Sequence, residues 1–415
     1  MFFIPRSLTR VPSLLHSTRS FSSISTSDTA ITVHTLKTTF PYLWLRDACQ
    51  APSSVHPSNR QKLFRSSDIP LDIRPAKDGM HTEDGGLRIR WEDGHESFFE
   101  RAFLERHSSL SNLTAFHKDV SQQPWTRDFV TSQPSLFISY ASLKTPQGLA
   151  DAITQLSSSG LLFIRDVPNT ETSNATCELR TLASTFGEIR PTFYGEIWDV
   201  QNVRESKNIA YTNLDLGLHM DLLYFQHPPR YQILHCLRNR VRGGTSIFVD
   251  ALHAASTLRK THPEEFNILT NTPVPFHYIN DGHHLHYEHP TIELAKIGSS
   301  SSSNFERPIS HINYSPPFQA PLLLSTPTSF FSALRRFSEL LNDPENTYEY
   351  TLKEGDAALF DNRRVLHART AFYDLEGDEG EAGETNRWLK GCYLEADAIM
   401  DRGRVLKGKI ERGEV

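Results

Sequence analysis

Apolar and polar residues alternate through Leu87-Arg88-Ile89-Arg90-Trp91, pause at Glu92-Asp93-Gly94-His95, and alternate again in Glu96-Ser97-Phe98-Phe99. A period of two on either side of a glycine-containing turn predicts a β-hairpin, and with it a small β-rich module over 31–106. The stretch 107–134 is polar, is broken at Gln122-Gln123-Pro124, and reads as a linker. The period then lengthens. Thr145-Pro146 opens a segment in which Leu149, Ile153 and Leu156 share one stripe, which predicts a helix ending before the buried strand Gly160-Leu161-Leu162-Phe163-Ile164. Further on, short apolar runs such as Tyr231 to Cys236 and Gly243 to Val249 recur between turn signals. That spacing favours a sandwich or barrel over a parallel sheet. Two inserts interrupt it: the serine run Ser299 to Ser303, and Asp374 to Glu384, which carries six acids and three glycines. Both read as surface loops.

Composition narrows the class. The 415 residues are 38% hydrophobic and 10% aromatic, enough for a sizeable core. A net charge of -6 without a long basic run argues against nucleic acid as a partner and leaves small molecules. Cys49, Cys177, Cys236 and Cys392 form neither a CxxC pair nor a disulfide framework, which suits a reducing compartment. No run approaches the roughly 20 apolar residues needed to cross a bilayer. Residues Met1 to Thr26 contain no acid, while Arg6, Arg10 and Arg19 are spaced among serines with Leu14, Leu15 and Phe21 between them. This is the composition of a mitochondrial transit peptide, so residues 1–27 are excluded from the expected fold, with a cytoplasmic location as the alternative.

The chemistry lies further along. In His219-Met220-Asp221 the two outer residues would face one way if the tripeptide were strand, and one metal ion would meet both. The run Gly355 to Asn362 reads as a turn entering an apolar strand, which would deliver His367 just beyond it. Two histidines and one carboxylate on one face of an octahedral ion are the ligands of a non-haem Fe(II) oxygenase, whose open positions take a 2-oxo acid and dioxygen. Arg387 follows, and a guanidinium is the natural partner for the distal carboxylate of a dicarboxylic cosubstrate.

The text surrounding these residues resembles the γ-butyrobetaine and trimethyllysine dioxygenases of carnitine biosynthesis. The likeness runs from Trp44-Leu45-Arg46-Asp47 through Phe193-Tyr194-Gly195, Trp198, Asn208-Ile209-Ala210-Tyr211 and His219-Met220-Asp221, then through His227-Pro228-Pro229, Leu234-His235-Cys236 and Gly243-Gly244. It continues in Asp361-Asn362, Arg364-Val365-Leu366-His367 and Gly391-Cys392-Tyr393. The resemblance implies a mainly β (α+β) chain, with a double-stranded β-helix, jelly-roll-like catalytic domain over 135–405 behind the small amino-terminal domain. It implies Fe(II) at His219, Asp221 and His367, and 2-oxoglutarate held by Arg387 with the hydroxyl of Ser246. A trimethylammonium substrate would then lie among Tyr194, Trp198, Tyr211 and Tyr393 with Asn208 as a polar partner, because a quaternary ammonium is best held by ring faces. Ascorbate as reductant and a homodimer come with the same likeness.

Two departures qualify it. Members of that family hold zinc in the amino-terminal domain with three cysteines and a histidine; here Cys49 and His95 match, while Ala51 and Ser54 replace the other two cysteines. Two ligands do not make a structural site, so no zinc is expected, although His56 would add a third nitrogen if it reached. Ser315 stands where butyrobetaine hydroxylases place an asparagine against the substrate carboxylate, and Leu222 replaces a tyrosine beside the iron motif. The resemblance ranks γ-butyrobetaine, giving carnitine, first and trimethyllysine second. A related betaine of specialised metabolism comes third, and a non-catalytic quaternary-amine binder last.

Overall fold

The computed structural model describes residues 23–83, 85–201, 213–295, 307–374 and 385–415. The chain forms two compact units that divide at Asp119 and Val120. In the first unit, strands Ile24–Thr26, Ala30–Val33 and Thr38–Pro41 make one antiparallel sheet, and Pro75–Glu83, Gly86–Trp91 and Glu96–Glu100 make another. The expected hairpin is present, with Leu87 opposite Phe99 and Arg90 opposite Glu96. Leu87, Ile89, Trp91 and Phe99 point into a core shared with Ile31, Phe40 and Leu45.

Two segments expected to lack structure carry elements. Strand Ile24–Thr26 pairs with Ile31 to Val33, so the last residues of the stretch assigned to a presequence belong to a sheet; residues 1–22 lie outside those described. The supposed linker 107–134 contains helices Leu110–His117 and Arg127–Thr131. The first is capped by Ser109, whose side chain accepts from Asn112 N. Its polarity reflects short exposed helices rather than absence of structure.

The second unit is a double-stranded β-helix. Its larger sheet runs in the order Phe137–Ser139, Leu161–Arg165, Ala357–Asp361, Tyr231–Asn239, Arg387–Leu394 and Trp198–Gln201, and all neighbours are antiparallel except the first pair. The smaller sheet runs Leu216–His219, Val365–Arg369, Ser246–Asp250 and Thr347–Tyr350, antiparallel throughout. Strand Leu161–Arg165 is apolar on both faces for a reason. Leu161 and Phe163 face the smaller sheet, where Phe163 meets Phe248 edge-on at 5.5 Å, while Leu162 and Ile164 face a helical layer. That layer includes helix Pro146–Ser159, which starts where its sequence signals it: Thr145 Oγ1 accepts from Gly148 N and Pro146 occupies the first turn. It stops at Gly160, whose φ of 71° is a left-handed conformation that glycine adopts without strain.

The turn 361–364 carries the chain from the larger sheet to the smaller one. Arg364 donates to both carboxylate oxygens of Asp250 at 3.0 and 2.8 Å, and to the carbonyls of Ser158 and Gln123. Asp250 also accepts from Trp125 N and Leu252 N. Both side chains of this pair are almost wholly out of solvent, so neither charge can be left alone cheaply. Arg364→Met is expected to lower unfolding free energy by about 3–5 kcal/mol, read from urea denaturation; a loss below about 1 kcal/mol would mean that the pair is replaceable.

Candidate metal centre and adjoining pocket

His219 ends its strand and pairs in register with His367 on the neighbouring strand Val365–Arg369. The two imidazoles lie with centroids 4.1 Å apart, and a carboxylate oxygen of Asp221 is 3.5 Å from His219 Nε2. Ligand atoms of His219, Asp221 and His367 all lie within 4.8 Å of one another, and among the described residues this is the one trio of such side chains so gathered.

The way Asp221 gets there differs from expectation. The tripeptide is not all strand: the strand stops at His219, and the backbone turns through Leu222, whose φ is 61°. Simple alternation therefore does not aim the carboxylate. Asn362 does. Its Oδ1 accepts from Asp221 N at 2.8 Å, and its Nδ2 donates to Asp221 O at 3.0 Å and to Pro229 O at 3.2 Å. Met220 N donates to Tyr314 O. Tyr393 then donates its hydroxyl to Asp221 Oδ2 at 2.8 Å.

Protonation states suit a cation. The carbonyl of Gly217 lies 2.8 Å from His219 Nδ1, which fixes the proton on that nitrogen and leaves Nε2 as a lone-pair donor. Burial pushes His367 down to about 3, with His219 alongside adding to the effect, so its ring is neutral at physiological pH; its buried Nδ1 has no hydrogen-bond partner. Burial alone would raise Asp221, but the neighbouring His219 and His367 and the hydrogen bond from Tyr393 hold it well below the usual carboxylate range. A carboxylate and two imidazoles fit a divalent ion such as Fe(II).

Beside the trio lies a pocket lined by Tyr194, Trp198, Tyr393, Ser246 and Arg387, five of the residues singled out from sequence. Asn208 and Tyr211 lie outside the described residues. Ser315 is buried, with its hydroxyl unpartnered, and is not among the lining side chains. Leu222 does line the pocket, as do Tyr224, Phe318, Phe248, Leu216, Leu234 and Arg369, which sequence reasoning did not assign. Trp198 stands over Gly391, its partner in register. A Cβ at Gly391 would sit 2.1 Å from the indole, so only glycine admits the ring that also lies 5.3 Å from Tyr393.

Arg387 is buried to 5% exposure, and its Nε has no hydrogen-bond partner. It passes so near Gly244 that a Cβ there would be 3.0 Å from Nε, and Gly244 has a φ of 69°. Burial, and then the neighbouring charge of Arg369, push Arg387 down to about 10. Two guanidiniums in one dry pocket repel each other, and a bound carboxylate relieves that repulsion.

In the first unit, Cys49 Sγ and His95 Nε2 are 3.2 Å apart, with Ser54 Oγ also 3.2 Å from that nitrogen. His56 is turned to Ser58 in its own loop.

Comparison with known proteins gives a consistent picture. Residues 90–393 match the model described as taurine catabolism dioxygenase TauD, TfdA family, and residues 26–105 match the gamma-butyrobetaine hydroxylase-like N-terminal model. A dioxygenase, str8, from Strobilurus tenacellus is 58% identical over 90% of this chain and 86% of its own. Gamma-butyrobetaine dioxygenase from Pseudomonas sp. (strain AK-1) is 31% identical over 89% of this chain and 90% of its own. Trimethyllysine dioxygenase from Meyerozyma guilliermondii is 28% identical over 88% and 90%. Among solved structures, a taurine dioxygenase from Burkholderia xenovorans covers 67% of this chain and 92% of its own at 18% identity, with a TM-score of 0.45.

Because Asn362 alone ties both backbone groups of Asp221, Asn362→Ala is expected to weaken Fe(II) binding by about 10–100-fold, the usual cost of losing an outer-shell partner. Anaerobic metal titration reads this directly, and unchanged affinity would show that Asp221 is aimed by its own turn.

Proposed function

The chain belongs to the taurine catabolism dioxygenase TauD, TfdA family and is a 2-oxoglutarate-dependent dioxygenase using Fe(II); within that family we propose that its substrate carries a trimethylammonium group, with γ-butyrobetaine first and trimethyllysine second. The observation that carries this reading is that Tyr194, Trp198 and Tyr393 line one pocket together with His219, Asp221 and His367. Ring faces attract a cation that cannot donate hydrogen bonds, at about 0.5–2 kcal/mol each.

In this reading His219, Asp221 and His367 hold the iron, and Arg387 with Ser246 holds the distal carboxylate of 2-oxoglutarate. Iron, when bound, supplies the redox chemistry that couples conversion of 2-oxoglutarate and dioxygen to succinate and carbon dioxide with hydroxylation of a substrate C–H bond. The chain's own contribution is placement. Tyr393 steadies Asp221 from the substrate side, the aromatic walls fix which carbon faces the metal, and Leu216, Leu222, Leu234 and Leu389 keep the pocket apolar.

A second reading is favoured by Leu222 and Ser315. An uncharged, apolar aromatic substrate would stack on the same rings without requiring a partner for a carboxylate. The relative at 58% identity is named only as a dioxygenase and so does not choose between the two.

Incubating the iron-loaded protein with 2-oxoglutarate and each candidate is expected to give succinate and hydroxylated product in equal amounts with γ-butyrobetaine. Turnover with neither betaine, but with a neutral aromatic compound, would replace the first reading by the second. Arg387→Met should raise the KM for 2-oxoglutarate by about 10–100-fold, the equivalent of a charge-assisted hydrogen-bond pair of roughly 1.5–3 kcal/mol. An unaltered KM would remove Arg387 from the cosubstrate site.

A further inference from the structure

Strands Pro273–Asn280 and His283–Pro290 form a hairpin closed by Asp281 and Gly282, both with positive φ. Residues opposite one another in an antiparallel pair share a face. One face carries Val274, Phe276 and Tyr278 with His289, all buried. Tyr278 lies 5.3 Å from Tyr224, a pocket-lining ring, and 5.2 Å from Phe193. This face accounts for the hairpin's place in the fold.

The opposite face is half-buried to exposed among the described residues, and its side chains are unusual for such strand positions. His277 stands directly across from His286; His284 and Glu288 lie two residues to either side of His286 on the same strand. His284, His286 and Glu288 are exposed and His277 is half-buried. Cross-strand partners have Cβ atoms about 4.5–5.5 Å apart. The rings of His284 and His286 already lie with centroids 6.1 Å apart. Three imidazoles thus share one patch of a two-stranded ribbon.

We propose that the outer face of this hairpin is a second metal site, in which His277, His284 and His286 ligate one zinc-class ion and water completes the set. Imidazole-rich ligand sets suit Zn(II), Cu(II) or Ni(II), whereas the iron trio combines two imidazoles with a carboxylate. Donor atoms here are not drawn together as those of the trio are. Two imidazoles two residues apart on one strand and a third directly across from one of them would reach a common ion by turning about side-chain torsions between staggered wells. An ion bridging the two strands would fix the register of the hairpin whose inner face backs the pocket wall through Tyr278 and Tyr224. Occupancy is thereby linked to the stiffness of that wall.

The test is a zinc count on tag-free full-length protein after equilibrium dialysis against Zn(II). Comparing wild type with the H277A/H284A/H286A variant isolates the hairpin, because zinc bound anywhere else is common to both. The wild type is expected to hold one more zinc per chain than the triple variant, and H219A is expected to keep that ion. Circular dichroism checks that the variant is folded, and the single substitution His286→Asn, which preserves size and polarity, should lose the same equivalent. Equal zinc content in folded wild type and triple variant overturns the assignment. The count does not depend on which substrate the enzyme hydroxylates, so its failure leaves the proposed activity standing, and the reverse also holds.

Discussion

Everything at this site hangs from the four-residue turn Asp361-Asn362-Arg363-Arg364, where the chain leaves one sheet for the other. A crossing between sheets exposes backbone and charge in a region that the surrounding core keeps dry, and each such group must be matched there. Asp361 takes the guanidinium of Arg230, Arg363 reaches Asn313, Arg364 closes on Asp250, and Asn362 grips the backbone of Asp221. The turn also leads to His367 three residues later and holds the backbone of Asp221 in place.

The pocket inherits its character from that geometry. It is lined by His219, Asp221 and His367, by Arg387 and Ser246, and by rings and aliphatic chains. Burial, and then the neighbouring charge of Arg369, disfavour the cationic form of Arg387, so an anion placed beside it would be welcome. The aromatic walls act differently. They discriminate by shape and ring-face electrostatics, which is why both a quaternary ammonium and a flat neutral molecule remain compatible with them.

Much of the fold was legible along the chain because local rules governed it. Helix Pro146–Ser159 has a threonine cap, a proline in its first turn and a glycine past its end, and the hairpin 86–100 has its alternation and its turn glycine. Short polar helices in 107–134 were hidden, since neither shows a strong apolar stripe. Strand Ile24–Thr26 was hidden by an arginine- and serine-rich neighbourhood that resembles a targeting segment. At the site, the identities of His219, Asp221, His367 and Arg387 were readable from residue type and order, whereas Asn362 appeared only as part of a matching string with no role attached.

By itself, then, the sequence determined which side chains are the candidates for the chemistry, because ligand type and charge are properties of residues, and it determined the elements whose caps and periodicity are local. Tertiary structure alone decided how those side chains meet. The carboxylate of Asp221 is aimed by an asparagine 141 positions away, and Trp198 finds room only because the residue across the sheet is Gly391. The three imidazoles of the outer hairpin share a face only through the register of two strands. Contacts of this kind depend on the closure of the fold, and no local pattern encodes them.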